Sequence, residues 1–139
     1  MWLYKDKVIN CIELMPRDTF GFIYQVTYLP TNEKYLGKKF IYFNKKLPPL
    51  KGFKRKRKVS VESDWKKYYG SHDKIKTLLK ESKHDDFKRE ILEFAFNKKH
   101  LTYLETKYLF TNNVLENNEY INDNILGKFF RKDLVQPIN

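Results

Sequence analysis

Cysteine is almost absent from this chain of 139 residues, in which Cys11 is the only one. A single cysteine excludes an intrachain disulfide framework and a cysteine-rich zinc site. A transmembrane helix is excluded as well, because no run of about 18 apolar residues occurs. The N-terminal residues lack the basic-then-apolar order of a secretory signal. We therefore expect a soluble, intracellular protein of one domain that makes no contact with a membrane.

Acidic residues are scarce too, since 17 Asp and Glu stand against 28 Lys and Arg, for a net charge of +11. A small domain this basic is typical of proteins that bind polyanions, usually nucleic acid. Residues 45–58, the basic insert, hold eight of the positive charges with two prolines, one glycine and no acid. We predict a loop that follows DNA phosphates; a run that only adds solubility or directs localisation is the alternative. Its charged members are Lys45, Lys46, Lys51, Lys54, Arg55, Lys56, Arg57 and Lys58.

Apolar residues alternate with others from Phe20 to Leu29, which predicts a strand. Turn chemistry over residues 30–33 and a second run over 34–40 predict an antiparallel hairpin. The other predicted elements are a third strand over 87–96 and helices over 65–69, 73–82 and 98–111. Together they predict an α+β fold with a small, mainly antiparallel three-stranded sheet flanked by helices.

The last predicted helix carries an acid in the middle of its apolar face. Leu101, Leu104 and Leu109 define that face together with Tyr108, and Glu105 lies among them. Burying a free carboxylate is costly. Glu105 must therefore reach solvent, pair with a base or bind a metal ion, and a structural salt bridge is the alternative to a functional role.

Two segments carry a resemblance to a known family. Gly21-Phe22-Ile23-Tyr24, followed by Tyr35-Leu36-Gly37-Lys38-Lys39, resembles the paired signature of the GIY-YIG nuclease superfamily, and the two tyrosines are 11 positions apart. The similarity extends from residue 20 to about 125 and is of the kind seen in small stand-alone phage homing-type endonucleases. Further segments that match in order are Ser63–Ser71 (first helix), Phe87–Leu92 (third strand), Leu104–Tyr108 (the helix with the metal-binding glutamate) and Tyr120–Asn122.

The resemblance implies a domain layout and an activity. Residues 1–19 would be a lead with an accessory strand, 20–125 a GIY-YIG-like nuclease domain that includes the basic insert, and 126–139 a C-terminal tail. The family hydrolyses DNA phosphodiester bonds with one divalent metal ion, usually Mg²⁺. The expected partner is double-stranded DNA, and the expected location is the host cytoplasm if the chain is phage-encoded.

The resemblance also implies residue roles. Glu105 would bind the metal, and Tyr24, with Tyr35 beside it, would activate or position the attacking water. Lys38 and Lys39 would stabilise phosphate charge. Tyr68 matches a His-or-Tyr position of the first helix, and Asn122 would hold the site or contact phosphate.

One position departs from the family pattern. Asp64 stands where many members carry an arginine just before the helix tryptophan, and an acid cannot replace a phosphate-binding cation. Either Lys38, Lys39, Arg55 or Arg57 supplies the charge, or activity is reduced or absent. We favour replacement, with the basic insert folding back over the site. We expect the three histidines, His72, His84 and His100, to be surface residues.

Three functional hypotheses follow. The first is a metal-dependent DNA endonuclease, homing-type or nicking, with modest selectivity because the chain ends at Asn139 without a separate recognition module; a protein partner or dimerisation would add selectivity. The second is a catalytically impaired nucleic-acid-binding protein on the same scaffold, marked by Asp64. The third is a basic RNA-binding structural protein that uses the insert and does not depend on Glu105.

Overall fold

The computed structural model describes residues 1–134 and is built around a five-stranded sheet. Residues 135–139 of the predicted C-terminal tail lie outside the described part. No helix within residues 1–134 is long and apolar enough to cross a membrane. The elements are β1 (Trp2–Tyr4), β2 (Lys7–Ile9), β3 (Gly21–Tyr28), β4 (Glu33–Phe40), β5 (Tyr42–Leu47), β6 (Arg57–Glu62), α1 (Asp73–Glu81), β7 (Phe87–Ala95), α2 (Lys98–Thr111), β8 (Asn124–Ile125) and β9 (Phe129–Phe130).

The central sheet has the strand order β2-β1-β7-β3-β4. All of its pairs are antiparallel except β1 with β7. This confirms the predicted mainly antiparallel sheet with flanking helices, but the predicted number of strands, three, is wrong. β5–β6 and β8–β9 form two further two-stranded ribbons outside the sheet.

The two extra strands of the sheet are β1 and β2, which lie in the segment predicted as an accessory lead. Each has three residues, too few for a recognisable alternation. Lys5 and Asp6 connect them with positive φ angles of 48° and 67°. A two-residue hairpin turn with both φ angles positive is normally marked by Asn-Gly or Asp-Gly. Because Lys-Asp stands here instead, the sequence carries no hairpin signal.

Both faces of the sheet are covered, so β3 is buried on both sides. On one face Phe22, Tyr24 and Val26 pack with Trp2 and Trp65, and α1 covers this layer. On the other face a second cluster, which includes residues of α2, covers the sheet. The alternation that predicted β3 therefore places Tyr24 in a packed layer rather than at a solvated surface.

A β-bulge in β7 lies next to Tyr24. Ile23 pairs with Glu93 and Tyr24 pairs with Ile91, so Leu92 is the extra residue. The bulge allows Phe94 and Ile91 to pack on the same face although they are three positions apart, a spacing that places side chains on opposite faces of a regular strand. Bulges of this kind re-aim side chains and are frequent beside active sites.

The basic insert is not the loop that was predicted. Its ends are paired strands, β5 and β6, and only residues 48–56 remain a loop. Tyr42, Phe43, Val59 and Val61 have high β-propensity, and the lysines between them do not prevent pairing. Prolines, glycine and charge dominated the sequence pattern, which is why the strands were not predicted.

The predicted helix over residues 65–69 is also wrong in length. Only a single 3₁₀ turn forms, over Trp65–Lys67, and Gly70 follows with a φ of 111°. Arg89 explains the early end, because its buried guanidinium donates hydrogen bonds to the carbonyl oxygens of Lys66 (3.0 Å) and Tyr68 (2.9 Å). Arg89 thus binds backbone carbonyl oxygens rather than a carboxylate.

Candidate active site

Tyr24 lies at the centre of a cluster of tyrosines. Its side chain is buried, and its ring centroid lies 6.2 Å from that of Tyr35 and 5.8 Å from that of Tyr68. The Trp2 ring packs edge-on against the Tyr24 ring, with 5.5 Å between their centroids. The two tyrosines predicted from the paired signature are therefore brought together, with Tyr68 as a third member.

Gly37 makes room for the Tyr24 hydroxyl on the neighbouring strand. A Cβ built on Gly37 would lie 2.7 Å from Tyr24 Oη and 2.9 Å from Cζ. No side chain fits at this position unless Tyr24 moves. The glycine of the second signature segment is therefore required by the close approach of the phenol to β4.

We expect Gly37→Ala to lower the free energy of unfolding by about 1–3 kcal/mol, the usual cost of overpacking. Urea denaturation would measure this. In a Tyr24→Phe background the closest atom is gone, so the cost of Gly37→Ala should fall in a double-mutant cycle. Equal costs in both backgrounds would show that the two side chains do not compete for the same space.

Burial in the cluster favours the neutral form of two phenols, Tyr24 and Tyr35. Burial raises the pKa of Tyr24 well above its ordinary value, and the neighbouring Tyr68 and Tyr35 act in the same direction. The pKa of Tyr35 is raised as well, chiefly by burial. Negative charge on Glu105 contributes to the increase at both tyrosines. Tyr24 is therefore an un-ionised hydroxyl at neutral pH.

Helix α2 brings Glu105 to β4 from the face of the sheet opposite the tyrosine cluster, near enough for its charge to act on Tyr24 and Tyr35. Asn97 caps the start of the helix, since its Oδ1 accepts a hydrogen bond from the backbone N–H of His100 (2.8 Å). Leu101 and Leu104 are buried against the sheet. Because the apolar residues of α2 orient the helix, Glu105 is directed at the sheet and not at solvent.

Glu105 meets Lys38 at the edge strand. Lys38 Nζ lies 3.7 Å from Glu105 Oε1 and donates a hydrogen bond to Thr102 Oγ1 (3.2 Å). Burial raises the pKa of the Glu105 carboxyl above its ordinary value, and Lys38 acts in the opposite direction without cancelling the effect of burial. The carboxylate is thus an incompletely compensated charge.

Lys39 lies on the tyrosine side of β4. Its ammonium is 2.6 Å from Asp64 Oδ1 and sits 3.9 Å from the centroid of the Tyr68 ring. The Lys39 ammonium holds the pKa of Asp64 below its usual range. A cation therefore lies beside Asp64, at the position where many family members carry arginine, and it comes from β4 rather than from the basic insert.

Asn122 holds β4 in place. Its buried side-chain amide accepts a hydrogen bond from Leu36 N (3.1 Å) and donates one to Leu36 O (2.8 Å). Both amide groups are thus occupied by the backbone. Of the two expected roles, the geometry matches holding the site rather than contact with phosphate.

A further pair at the site was missed in the sequence. His72 Nε2 lies 2.9 Å from Asp123 Oδ2, and the His72 ring is 5.6 Å from that of Tyr35. The Tyr35 hydroxyl is 3.5 Å from Ser71 Oγ. We expected His72 to be a surface residue, yet its side chain is only 18% exposed. Fifty-one residues separate the pair, so local spacing held no signal.

The arginines of the basic insert are not brought to Asp64. The ribbon β5–β6 begins at the Tyr42–Glu62 pair and ends at Leu47–Arg57. At about 3.4 Å per residue, Arg57 stands about 17 Å along the ribbon from its base. The expected fold-back of the insert over the site is therefore not seen.

Five consecutive residues of β4 thus connect the candidate site. Tyr35 adjoins Tyr24, Leu36 binds Asn122, and Gly37 admits the Tyr24 hydroxyl. Lys38 meets Glu105, and Lys39 meets both Tyr68 and Asp64.

Comparison with family models shows to which family the chain belongs. A model described as "Putative endonuclease segE, GIY-YIG domain" matches residues 2–125. The chain belongs to this GIY-YIG family. No curated protein and no solved structure matches it at a significant level. The resemblance read from the paired signature is confirmed. The GIY-YIG family is one of nucleases, which implies DNA as the class of substrate, and its members generally use divalent metals.

The donor chemistry of this GIY-YIG site suits Mg²⁺. No group of three or more His, Cys, Asp and Glu side chains able to hold a metal occurs in residues 1–134. Mg²⁺ does not need one, because it keeps several waters and typically binds through one or two carboxylates plus substrate phosphates. Glu105 offers one carboxylate whose only charged partner within the described residues is Lys38 at 3.7 Å.

Proposed function

We propose that this chain is a metal-dependent endonuclease that hydrolyses phosphodiester bonds of double-stranded DNA. The observation that carries the proposal is the convergence of Tyr24, Tyr68 and Glu105 on five successive residues of β4, 35–39. Metal-dependent cleavage of supercoiled plasmid tests it. Family membership supports the nuclease class, and the site geometry supports the residue roles.

Glu105 would hold the ion, and a bound Mg²⁺ would supply positive charge to the scissile phosphate. Lys38 and Lys39 follow Gly37 on β4 and neutralise the charge that develops on the phosphate oxygens. The attacking water is placed in line with the departing 3′ oxygen, so that its P–O bond forms as the bond to that oxygen breaks, and its proton passes through solvent to the departing oxygen. Asn122 acts indirectly, because it holds the backbone of β4 through Leu36.

Tyr24 positions the water rather than ionising to remove its proton. Because burial raises its pKa, the hydroxyl stays protonated, and its oxygen accepts a hydrogen bond from the water. Tyr35 and Tyr68 pack against the ring and fix its orientation. A fixed acceptor restricts the water to a reactive geometry, which lowers the entropic part of the barrier.

The eight cations of the basic insert bind DNA phosphates in this proposal. All eight side chains are exposed. Among the described residues, none of them lies within 4.0 Å of a carboxylate. Unpaired cations on a projecting ribbon suit sequence-independent phosphate contact. We accordingly propose homing-type or nicking cleavage with modest selectivity, in an intracellular setting, with added selectivity from a partner protein or a second copy.

One observation favours a second function. Asp64 neutralises Lys39, the cation nearest the tyrosine cluster, at 2.6 Å. A site weakened in this way would leave a nucleic-acid-binding protein that does not cleave. Such a protein would bind DNA with the same salt dependence as a nuclease and leave plasmid intact with every metal. An RNA-binding structural protein would instead prefer RNA and show no effect of Glu105.

Neutralising the insert should reduce the salt dependence of DNA binding. For Lys54→Gln with Lys56→Gln, we expect the log–log salt slope to fall by about 0.9 per lost phosphate contact on duplex DNA. Fluorescence anisotropy at several salt concentrations would measure it. Lys5→Gln with Lys7→Gln is the matched control, because it removes equal charge at the opposite edge of the sheet and should leave the slope unchanged. Equal slopes in all three proteins would mean that the insert is only solvated.

Excess protein should restore cleavage by the insert variant, because its catalytic site is intact. The same test on Arg55→Gln with Arg57→Gln separates binding from chemistry. If saturating protein fails to restore cleavage by that variant, one of the two arginines acts on the reacting phosphate.

A further inference from the structure

The tip of the β5–β6 ribbon presents two apolar side chains to solvent. Phe53 is 69% exposed and Leu50 is 51% exposed. They are the first and last residues of a four-residue turn, in which Phe53 N–H donates a hydrogen bond to Leu50 O (2.9 Å). Gly52, the third residue of the turn, has a φ of 87°. This matches a type II turn, which needs positive φ at that position.

The tip is stiffer than its loop character suggests. Pro48 and Pro49 precede the turn and fix two successive φ angles. Arg57 Nε donates to Pro48 O (3.4 Å) and ties the two sides of the tip together. Leu50 and Phe53 are therefore held side by side, and a partner that binds them pays little ordering entropy.

The β5–β6 ribbon contributes little stability to the free protein. Lys46 and Lys58 lie directly opposite each other in the β5–β6 pairing, and like charges at such positions are destabilising. A two-stranded ribbon is marginally stable on its own in water. Exposed apolar side chains at the tip add nothing to its stability. This combination suits a partner that carries negative charge around an apolar slot.

We propose that Leu50 and Phe53 form a wedge that enters a base step of duplex DNA, while the surrounding cations bind phosphates on both sides of that step. The inference rests on the proposed function, in which the insert binds DNA. Duplex DNA offers the required chemistry, because stacked bases are apolar and lie between two rows of phosphates. Apolar wedges from proteins are known to open such steps and kink the duplex.

The wedge adds a source of selectivity that needs no base-edge contact. Opening a step costs least at pyrimidine–purine steps such as TA and CA, which unstack readily. The enzyme is then expected to favour sites with a flexible step at a fixed distance from the scissile bond. Modest selectivity would thus arise from deformability of the DNA and not from a hydrogen-bond code.

The test uses 2-aminopurine, whose fluorescence rises when it is unstacked, placed at a TA step in a short duplex. Full-length protein is added in chelator, so that no cleavage occurs. We expect wild type to raise the fluorescence at saturation. Leu50→Ser with Phe53→Ser should lose the rise and weaken binding by about 5- to 150-fold, the range for a base–aromatic stack. The salt slope should stay unchanged.

The matched control is Tyr103→Ser on helix α2, since Tyr103 is 65% exposed and its truncation likewise removes a solvated ring. It should retain the rise. A rise that persists in the tip variant, or wild-type binding with a full salt slope but no rise at any step, would overturn the wedge alone. Failure of wild type to bind duplex DNA would instead overturn the proposed DNA binding together with the wedge.

Discussion

Tyr24→Phe should slow DNA cleavage by about 10²-fold, the cost of misplacing a reactant when the group that positions it is removed. The ring stays in its packed cluster, since only one oxygen is lost. DNA affinity should therefore barely change. Single-turnover cleavage with protein in excess measures the chemical step separately from binding.

The pH profile distinguishes the two roles of Tyr24. Because burial raises the pKa of this phenol well above its ordinary value, its ionisation contributes nothing between pH 6 and 9. The profile of Tyr24→Phe should therefore keep the wild-type shape at a lower rate. A profile that changes shape on loss of the hydroxyl would assign Tyr24 to the general base. A variant that binds weakly but reacts at the normal rate once bound would assign Tyr24 to substrate contact.

Glu105→Gln should abolish cleavage, with a loss of about 10³-fold or more, because a metal contributes several kcal/mol of transition-state stabilisation. The variant keeps the shape of the side chain, and Leu101 and Leu104 still anchor the helix. Glu116→Gln is the matched control, since it removes an exposed carboxylate and should cleave normally.

Thermal unfolding gives a readout of Glu105 besides activity. Mg²⁺ should raise the melting temperature of wild type but not of Glu105→Gln, because a ligand that binds the folded state stabilises it. Without metal, Glu105→Gln should be at least as stable as wild type, since a neutral side chain avoids the desolvation cost that raises the pKa of Glu105. Equal increases of melting temperature with Mg²⁺ in both proteins would show that the ion does not bind at Glu105.

Local sequence patterns predicted the elements that carry the site. The alternation around Tyr24 depends on one strand, and the apolar face around Glu105 depends on one helix. Both signals are complete within about 15 residues, the scale on which such patterns are informative. Gly37 follows from the paired signature, and its close contact with Tyr24 supplies the physical reason.

Contacts between distant segments were not predictable in the same way. Trp2 Nε1 donates to Trp65 O across 63 residues, and this bond helps to fix the short lead on the sheet. Arg89 on β7 ends the 3₁₀ turn of Trp65–Lys67, and His72 pairs with Asp123. Each contact depends on the tertiary fold, so no local spacing in the sequence predicts it. Charge in the basic insert also concealed two strands whose pairing depends on the partner segment.

Cleavage of supercoiled plasmid by wild type, with and without Mg²⁺, tests the central claim most directly. We predict conversion to nicked or linear DNA with Mg²⁺, none in chelator, and recovery when Mg²⁺ is restored. DNA binding in chelator, measured in parallel, shows that the protein is folded and competent to bind. Intact plasmid with Mg²⁺, Mn²⁺ and other divalent ions, under conditions in which the protein binds that DNA, would contradict the claim and leave a binding protein on a nuclease scaffold.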